Sequence, residues 1–377
     1  MSMPNDSTTR NYIIDPVYKE LSDKISGSDP EYTPRLLQKM YTLEVAKLVN
    51  ALPAPVEELA SKFNLTPEEV EQTLEGLVKK GYVLKTKRGY RSLSSGLQFG
   101  DLVLCVPTEF DDEFLMLAHK TMFNENVTKI MRAQQGETKR YRVIPRWKAI
   151  KDIPGIMPCE DMREIFENNA DKLTNTRCCC RVASSIANGE AHSRKCGLTD
   201  GTVPSEGHCN HIGYISEYYT EVMGITKYLT PEQMLESLEP LEKSRSFTRA
   251  NNARDVNFLC NCCDCCSLSY YFRTNSSDAE VEENIEPSRF MCMIDETKCN
   301  GCGVCVTKCP FDAIVMEDGK AKIKKTRCYG CGSCVLNCSE KALKLKLVRP
   351  AEHIPTEASG LPISQIIFGE EPSEKKG

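Results

Sequence analysis

Twenty-one cysteines in 377 residues, most of them clustered, constrain this chain more than any other feature. They are bunched at Cys178-Cys179-Cys180, at Cys260-Asn-Cys-Cys-Asp-Cys-Cys266, and as eight cysteines from Cys299 to Cys338. Adjacent cysteines do not readily reach disulfide geometry, and an odd total cannot pair completely. The polar start, MSMPNDSTTRNYIIDP, lacks the apolar segment of a secretory signal. A cytoplasmic chain with reduced thiols is therefore expected. The clusters are then read as metal or iron–sulfur ligands.

Composition narrows the rest. An apolar fraction of 40% is enough to bury several cores, and the length suggests two or three domains. No run approaches the ~18 apolar residues of a membrane span. The net charge of −5 argues against a protein built mainly to coat nucleic acid.

Along the chain, residues 1–34 read as a polar lead-in. From Leu36 the pattern is helical through Met40, Leu43 and Leu48, ending at Pro53 and Pro55. Val56, Leu59, Ala60 and Phe63 mark a second helix. Thr66-Pro67-Glu68-Glu69 supplies an N-cap, a Pro at the first helical position and a capping-box Glu for a third. YVLKTKRGYRSL then alternates around Arg88-Gly89 as a hairpin. This order over residues 35–100 resembles a winged helix-turn-helix domain. Residues 101–176 read as a mainly helical connection, 177–275 as a Cys-rich, mainly helical cluster-binding region, and 276–288 as a polar linker. Residues 289–348 form a compact Cys-rich module, followed by a tail, 349–377, with little sign of order. The fold class expected is α+β.

The C-terminal module is an internal repeat. Cys299-x2-Cys302-x2-Cys305-x3-Cys309-Pro310 recurs as Cys328-x2-Cys331-x2-Cys334-x3-Cys338-Ser339, with Gly301 and Gly303 matched by Gly330 and Gly332. It resembles the bacterial-type ferredoxins that carry two [4Fe–4S] clusters. In that pattern the fourth cysteine of each run ligates the other cluster. The resemblance implies one cluster on Cys299, Cys302, Cys305 and Cys338, and a second on Cys328, Cys331, Cys334 and Cys309. Zinc knuckles fit less well, since their ligand pairs are separated by longer loops. Ser339 stands where these ferredoxins usually have a second Pro. Residues 290–348 carry ten Lys and Arg against six Asp and Glu, including Lys320, Lys322, Lys324, Lys325 and Arg327. That face suits a redox partner with an acidic docking surface.

The middle region offers further thiols: Cys178, Cys180, Cys196 and Cys209 as one candidate set, and three or four of Cys260, Cys262, Cys263, Cys265 and Cys266 as another. One or two additional iron–sulfur clusters are expected there, with Arg177 and Arg181 flanking an anionic group. His192, His208 and His211 lie near these cysteines, but are more often solvated or supporting residues than ligands. Cys105, Cys159 and Cys292 stand apart and read as packing residues. The CxCR-type start and the CNCCxCC run resemble ferredoxin-like proteins of anaerobic microbes that join such a region to a C-terminal two-cluster ferredoxin. That resemblance implies electron transfer.

No Walker loop, dinucleotide fingerprint or HExxH motif is present. The chain is thus read as a redox subunit or electron carrier rather than a stand-alone enzyme, passing low-potential electrons to or from a partner oxidoreductase. Two other readings are a redox-sensing winged-helix regulator and a reductase acting at the middle cluster. Glu68, Glu69, Glu71 and Glu75 on the helix that would enter DNA argue against DNA binding.

Overall fold

The computed structural model describes residues 13–127, 129, 139–185, 209–268 and 285–358. It combines helices and strands in an α+β arrangement. Among the described residues no helix is long and apolar enough to cross a membrane.

The expected lead-in contains a helix, α1 (Pro16–Asp23), capped by the Asp15 carboxylate accepting from Val17 N at 3.0 Å. Its buried Val17, Tyr18 and Leu21 form a stripe too short to stand out in sequence. The single helix expected from Leu36 is two, α2 (Tyr32–Met40) and α3 (Leu43–Asn50). Thr42 is extended between them, and its hydroxyl caps α3 by accepting from Val45 N at 3.4 Å. Helix α4 spans Val56–Phe63 and α5 spans Pro67–Lys79. The α5 capping box forms as the spacing predicts: Thr66 Oγ1 accepts from Glu69 N at 3.2 Å, and Glu69 accepts from Thr66 N at 2.8 Å. Strands β1 (Val83–Thr86) and β2 (Gly89–Ser92) close an antiparallel hairpin. Leu36, Leu37, Leu59, Val70, Leu74 and Val78 are buried among these elements.

The middle of the chain contains the expected helices and, in addition, a sheet that was not expected. Its six strands run in the order β4–β5–β7–β6–β3–β8. They are β3 (Tyr141–Ile144), β4 (Leu173–Thr176), β5 (Cys209–Ile212), β6 (Ser246–Asn251), β7 (Phe258–Cys263) and β8 (Ile285–Glu286). All pairs are antiparallel except β3 with β8. Two π-helical turns, Phe99–Leu104 and Tyr218–Val222, meet where the Tyr219 hydroxyl donates to the Asp101 carbonyl.

The C-terminal module pairs β9 (Phe290–Ile294) with β12 (Leu343–Leu347), and β10 (Ile314–Glu317) with β11 (Lys320–Ile323). It is fastened to the sheet. Arg146 N donates to the Cys331 carbonyl at 2.9 Å, and Ser333 Oγ donates to the Ser246 carbonyl at 2.7 Å. Residues 285–288, the end of the expected linker, are built in: Ile285 is buried in β8, and Ser288 Oγ donates to the Gly330 carbonyl at 3.0 Å. The start of the expected tail is ordered as well. Ile354 is buried, and His353 Nε2 hydrogen-bonds the Pro287 carbonyl at 2.8 Å.

Candidate metal centres

The repeated cysteine loops of the C-terminal module bring their thiols into two groups. Cys299, Cys302, Cys305 and Cys338 line one pocket, walled by Ile294, Val304, Ala321 and Leu343. Cys309, Cys328, Cys331 and Cys334 are close enough for each other's charge to matter. The loops need glycine here. Gly330 has φ of +66°, and a Cβ on it would run into the Phe290 carbonyl. Gly301, its repeat mate, has φ of +78° and lies as close to the Gly319 carbonyl.

Burial raises the Cys305 thiol to about 11 and Cys331 to about 12. These groups remain protonated unless a metal takes the thiolate. Backbone donors already point at the sulfurs: Ala313 N reaches Cys309 Sγ at 3.3 Å, and Cys292 N reaches Cys328 Sγ at 3.4 Å. Such hydrogen bonds stabilise the negative sulfurs of iron–sulfur clusters. Cys292 is buried in the core, with its Sγ 3.6 Å from that of Cys334. Cys159 is buried, with its carbonyl accepting from Arg142 at 2.6 Å.

The middle region encloses a cavity of about 110 Å³ beside the sheet. Nine cysteines line it: Cys105, Cys178, Cys179, Cys180, Cys209, Cys260, Cys262, Cys263 and Cys266. Strand register explains part of this convergence. Cys209 on β5 pairs with Cys260 on β7, so their side chains share a face. The helix Cys179–Ser184 then brings Cys178 and Cys180 over that face, where Cys178 shares hydrogen bonds with Cys180 and Cys209. Those contacts lower the Cys178 pKa and raise its two partners'. Cys262 is pushed up to about 12, mainly by burial. At the end of β7, the sulfurs of Cys263, Cys265 and Cys266 lie within 4.8 Å of one another, a group able to hold a metal ion.

Cys178, Cys180 and Cys209 of one candidate set and Cys260, Cys262, Cys263 and Cys266 of the other therefore line one cavity, and Cys265 lies beside Cys263 and Cys266. Cys196, His192 and His208 lie outside the described residues. His211 does line the cavity, with its Nε2 2.9 Å from the Thr176 hydroxyl and its pKa lowered by burial to about 3. Cys105 and Cys179 were not among the candidates; adjacent cysteines diverge in a helix, and Cys105 is remote in sequence. Of the two arginines expected to flank the group, Arg181 faces Cys178 and donates to the Asn261 carbonyl at 3.0 Å. Arg177 instead donates to the Leu104 carbonyl at 2.9 Å and covers the Phe110 ring. Two cations that sequence reasoning missed, Arg140 and Arg249, stand on the cavity wall.

Residues 298–343 match the family of 4Fe-4S dicluster domains. The chain thus carries a C-terminal ferredoxin-type iron–sulfur module. No curated protein and no solved structure matches the chain.

Proposed function

We propose that this is an iron–sulfur electron-transfer protein, a redox subunit or carrier of an anaerobe's cytoplasm that passes low-potential electrons to or from a partner oxidoreductase. Two [4Fe–4S] clusters would be held by Cys299, Cys302, Cys305 and Cys338, and by Cys328, Cys331, Cys334 and Cys309. One or two further iron–sulfur clusters would take ligands from the cysteines of the sheet cavity. These groups supply one-electron chemistry when bound.

The observation that carries this reading is the convergence of nine cysteines on one cavity in a chain that also bears a dicluster module. Thiols packed this closely and buried are costly as free thiolates, so the arrangement makes chemical sense around metal. Two aromatic contacts link the two regions. Phe247, the register partner of Cys262, lies 4.8 Å from Phe311, and Phe311 stacks on Tyr329 at 4.4 Å. Phe311 follows Cys309-Pro310, and Tyr329 follows Cys328. This contiguous route supports a relay between the C-terminal clusters and the cavity.

The helices and hairpin of residues 35–100 would serve as a winged-helix scaffold. Glu75 is tied to Lys85 and accepts from the Tyr90 hydroxyl at 2.6 Å, and Tyr218 OH accepts from Lys85 N at 3.1 Å. Part of the basic hairpin is thereby committed within the molecule, which favours a scaffold over a DNA reader. Lys324 and Lys325, both exposed, are the residues proposed to meet an acidic partner surface.

Anaerobic reconstitution with iron and sulfide counting tests the reading. The full chain should bind about twelve to sixteen irons, of which about eight belong to the C-terminal module. A full-length protein saturating at about eight irons overturns the middle clusters.

A further inference from the structure

Arg249 occupies a telling position in the sheet. Successive register partners run Thr176 on β4, Cys209 on β5, Cys260 on β7 and Arg249 on β6. Cross-strand partners present their side chains on one face. The guanidinium therefore borders the thiol row, and it lines the same cavity. It is clamped over the Tyr141 ring, 4.0 Å from the centroid, with the Phe258 ring 5.9 Å away. Its Nε and Nη1 are buried and have no hydrogen-bond partner among the described residues.

A buried guanidinium with open donors is expensive unless a negative group accepts from it. The aromatic clamp satisfies its flat face and leaves the N–H groups on Nε and Nη1 without an acceptor. The charges of nearby Cys262, Cys260, Tyr141 and Cys180 bear on it, and the carboxyl of Asp101, which lines the same cavity, is also within its electrostatic reach. Arg181, also beside the thiols, donates from Nη2 to the Asn261 carbonyl.

We propose that Arg249 is the counter-cation of the iron–sulfur group in the sheet cavity, donating its free N–H groups to that group's sulfurs and raising its reduction potential. The proposal rests on the reading that the cavity binds iron–sulfur. Hydrogen bonds to sulfur and net charge are among the levers that set such potentials. A guanidinium offers several donors in a fixed plane, which a lysine ammonium does not reproduce.

The test uses the full chain, reconstituted anaerobically, as wild type, Arg249→Met and Arg249→Lys. Iron and sulfide are counted, midpoint potentials are followed by EPR, and thermal unfolding is measured on the metal-free proteins. The EPR signals lost in Cys260→Ser identify the cavity group. In Arg249→Met its reduction equilibrium should fall at least tenfold, about 59 mV for a one-electron couple. Arg249→Lys should recover part of that shift, and the C-terminal signals should stay at wild-type potentials. Metal-free Arg249→Met should unfold at or above the wild-type temperature, because buried donors without acceptors have been removed. Loss of cavity iron from Arg249→Met with that temperature preserved also supports the role. An unchanged potential at full iron content overturns it. So does a metal-free variant that unfolds well below wild type, which would make Arg249 a structural residue. If the wild type itself binds only the C-terminal iron, the underlying reading fails first and takes the proposal with it.

Discussion

Arg289 donates to Glu160 at 2.7 Å in an ion pair whose side chains are 5% and 2% exposed. It joins the first residue of the C-terminal module to the segment preceding the helix Met162–Glu167. Arg289 also reaches the Gly155 and Arg349 carbonyls, so the pair anchors a wider joint. Removing one partner of a buried pair leaves the other charge uncompensated, at a cost of about 3–5 kcal/mol. Arg289→Met should lower the denaturant midpoint by a corresponding amount. The double variant Arg289→Met/Glu160→Met should regain much of that loss, and equilibrium unfolding of the single and double variants measures both.

Glycine substitutions should separate a cluster loop from an ordinary helix. Gly330→Ala meets both a positive φ and the Phe290 carbonyl. The backbone strain alone is worth about 1–3 kcal/mol, and relieving the clash must move the loop between Cys328 and Cys331. Iron counting should show loss of one C-terminal cluster. Gly76→Ala is the contrast, because Gly76 lies exposed within α5 with nothing within 4 Å of a new Cβ. It should stabilise the protein by about 0.5–1 kcal/mol in thermal or denaturant unfolding, without changing iron content.

The junction between α5 and the hairpin should show in the acid limb of stability. Burial acts to raise the Glu75 carboxyl, but hydrogen bonds from Lys85 and Tyr90 outweigh it and hold the pKa below the ordinary 4.5. A carboxyl depressed on folding contributes stability that is complete above its unfolded value. That contribution is lost as the pH falls through the folded value. Glu75→Gln should therefore lower stability at neutral pH and flatten its decline below about pH 4.5. Unfolding midpoints at a series of pH values check this; an acid limb parallel to wild type would exclude the ion pair as its source.

The spacing of cysteines and glycines made the C-terminal repeat legible, and Thr66 with Glu69 made the start of α5 legible. Both are local signals whose partners lie within a few residues. The sheet was not legible, because β5 (Cys-Asn-His-Ile) is buried on all four residues and shows no alternation. Arg249 was missed for a related reason. A cation in a short strand resembles a solvent-facing residue until register places it beside Cys260. Cys105 belongs to a π-helical segment's end and joins the other thiols only through tertiary packing. The break between α2 and α3 was hidden because the apolar residues on either side of Thr42 keep a helical spacing.

Single ligand substitutions test whether electrons pass between the C-terminal clusters and the cavity. Cys334→Ser replaces a soft thiolate with a hard oxygen and should impair the cluster proposed on Cys309, Cys328, Cys331 and Cys334. The cavity cysteines are separate residues, so iron bound there should survive. Cys262→Ser should do the reverse. The aromatic contacts from Cys262's neighbour Phe247 through Phe311 to Tyr329 lie between the two regions. With a low-potential protein donor, freeze-quenched EPR should show the cavity signal reduced much more slowly in Cys334→Ser than in wild type. The C-terminal signals of Cys262→Ser should be reduced at the wild-type rate. A cavity signal in Cys334→Ser that appears as fast as in wild type would mean that electrons enter the cavity first. The C-terminal module would then be an exit instead of an entrance.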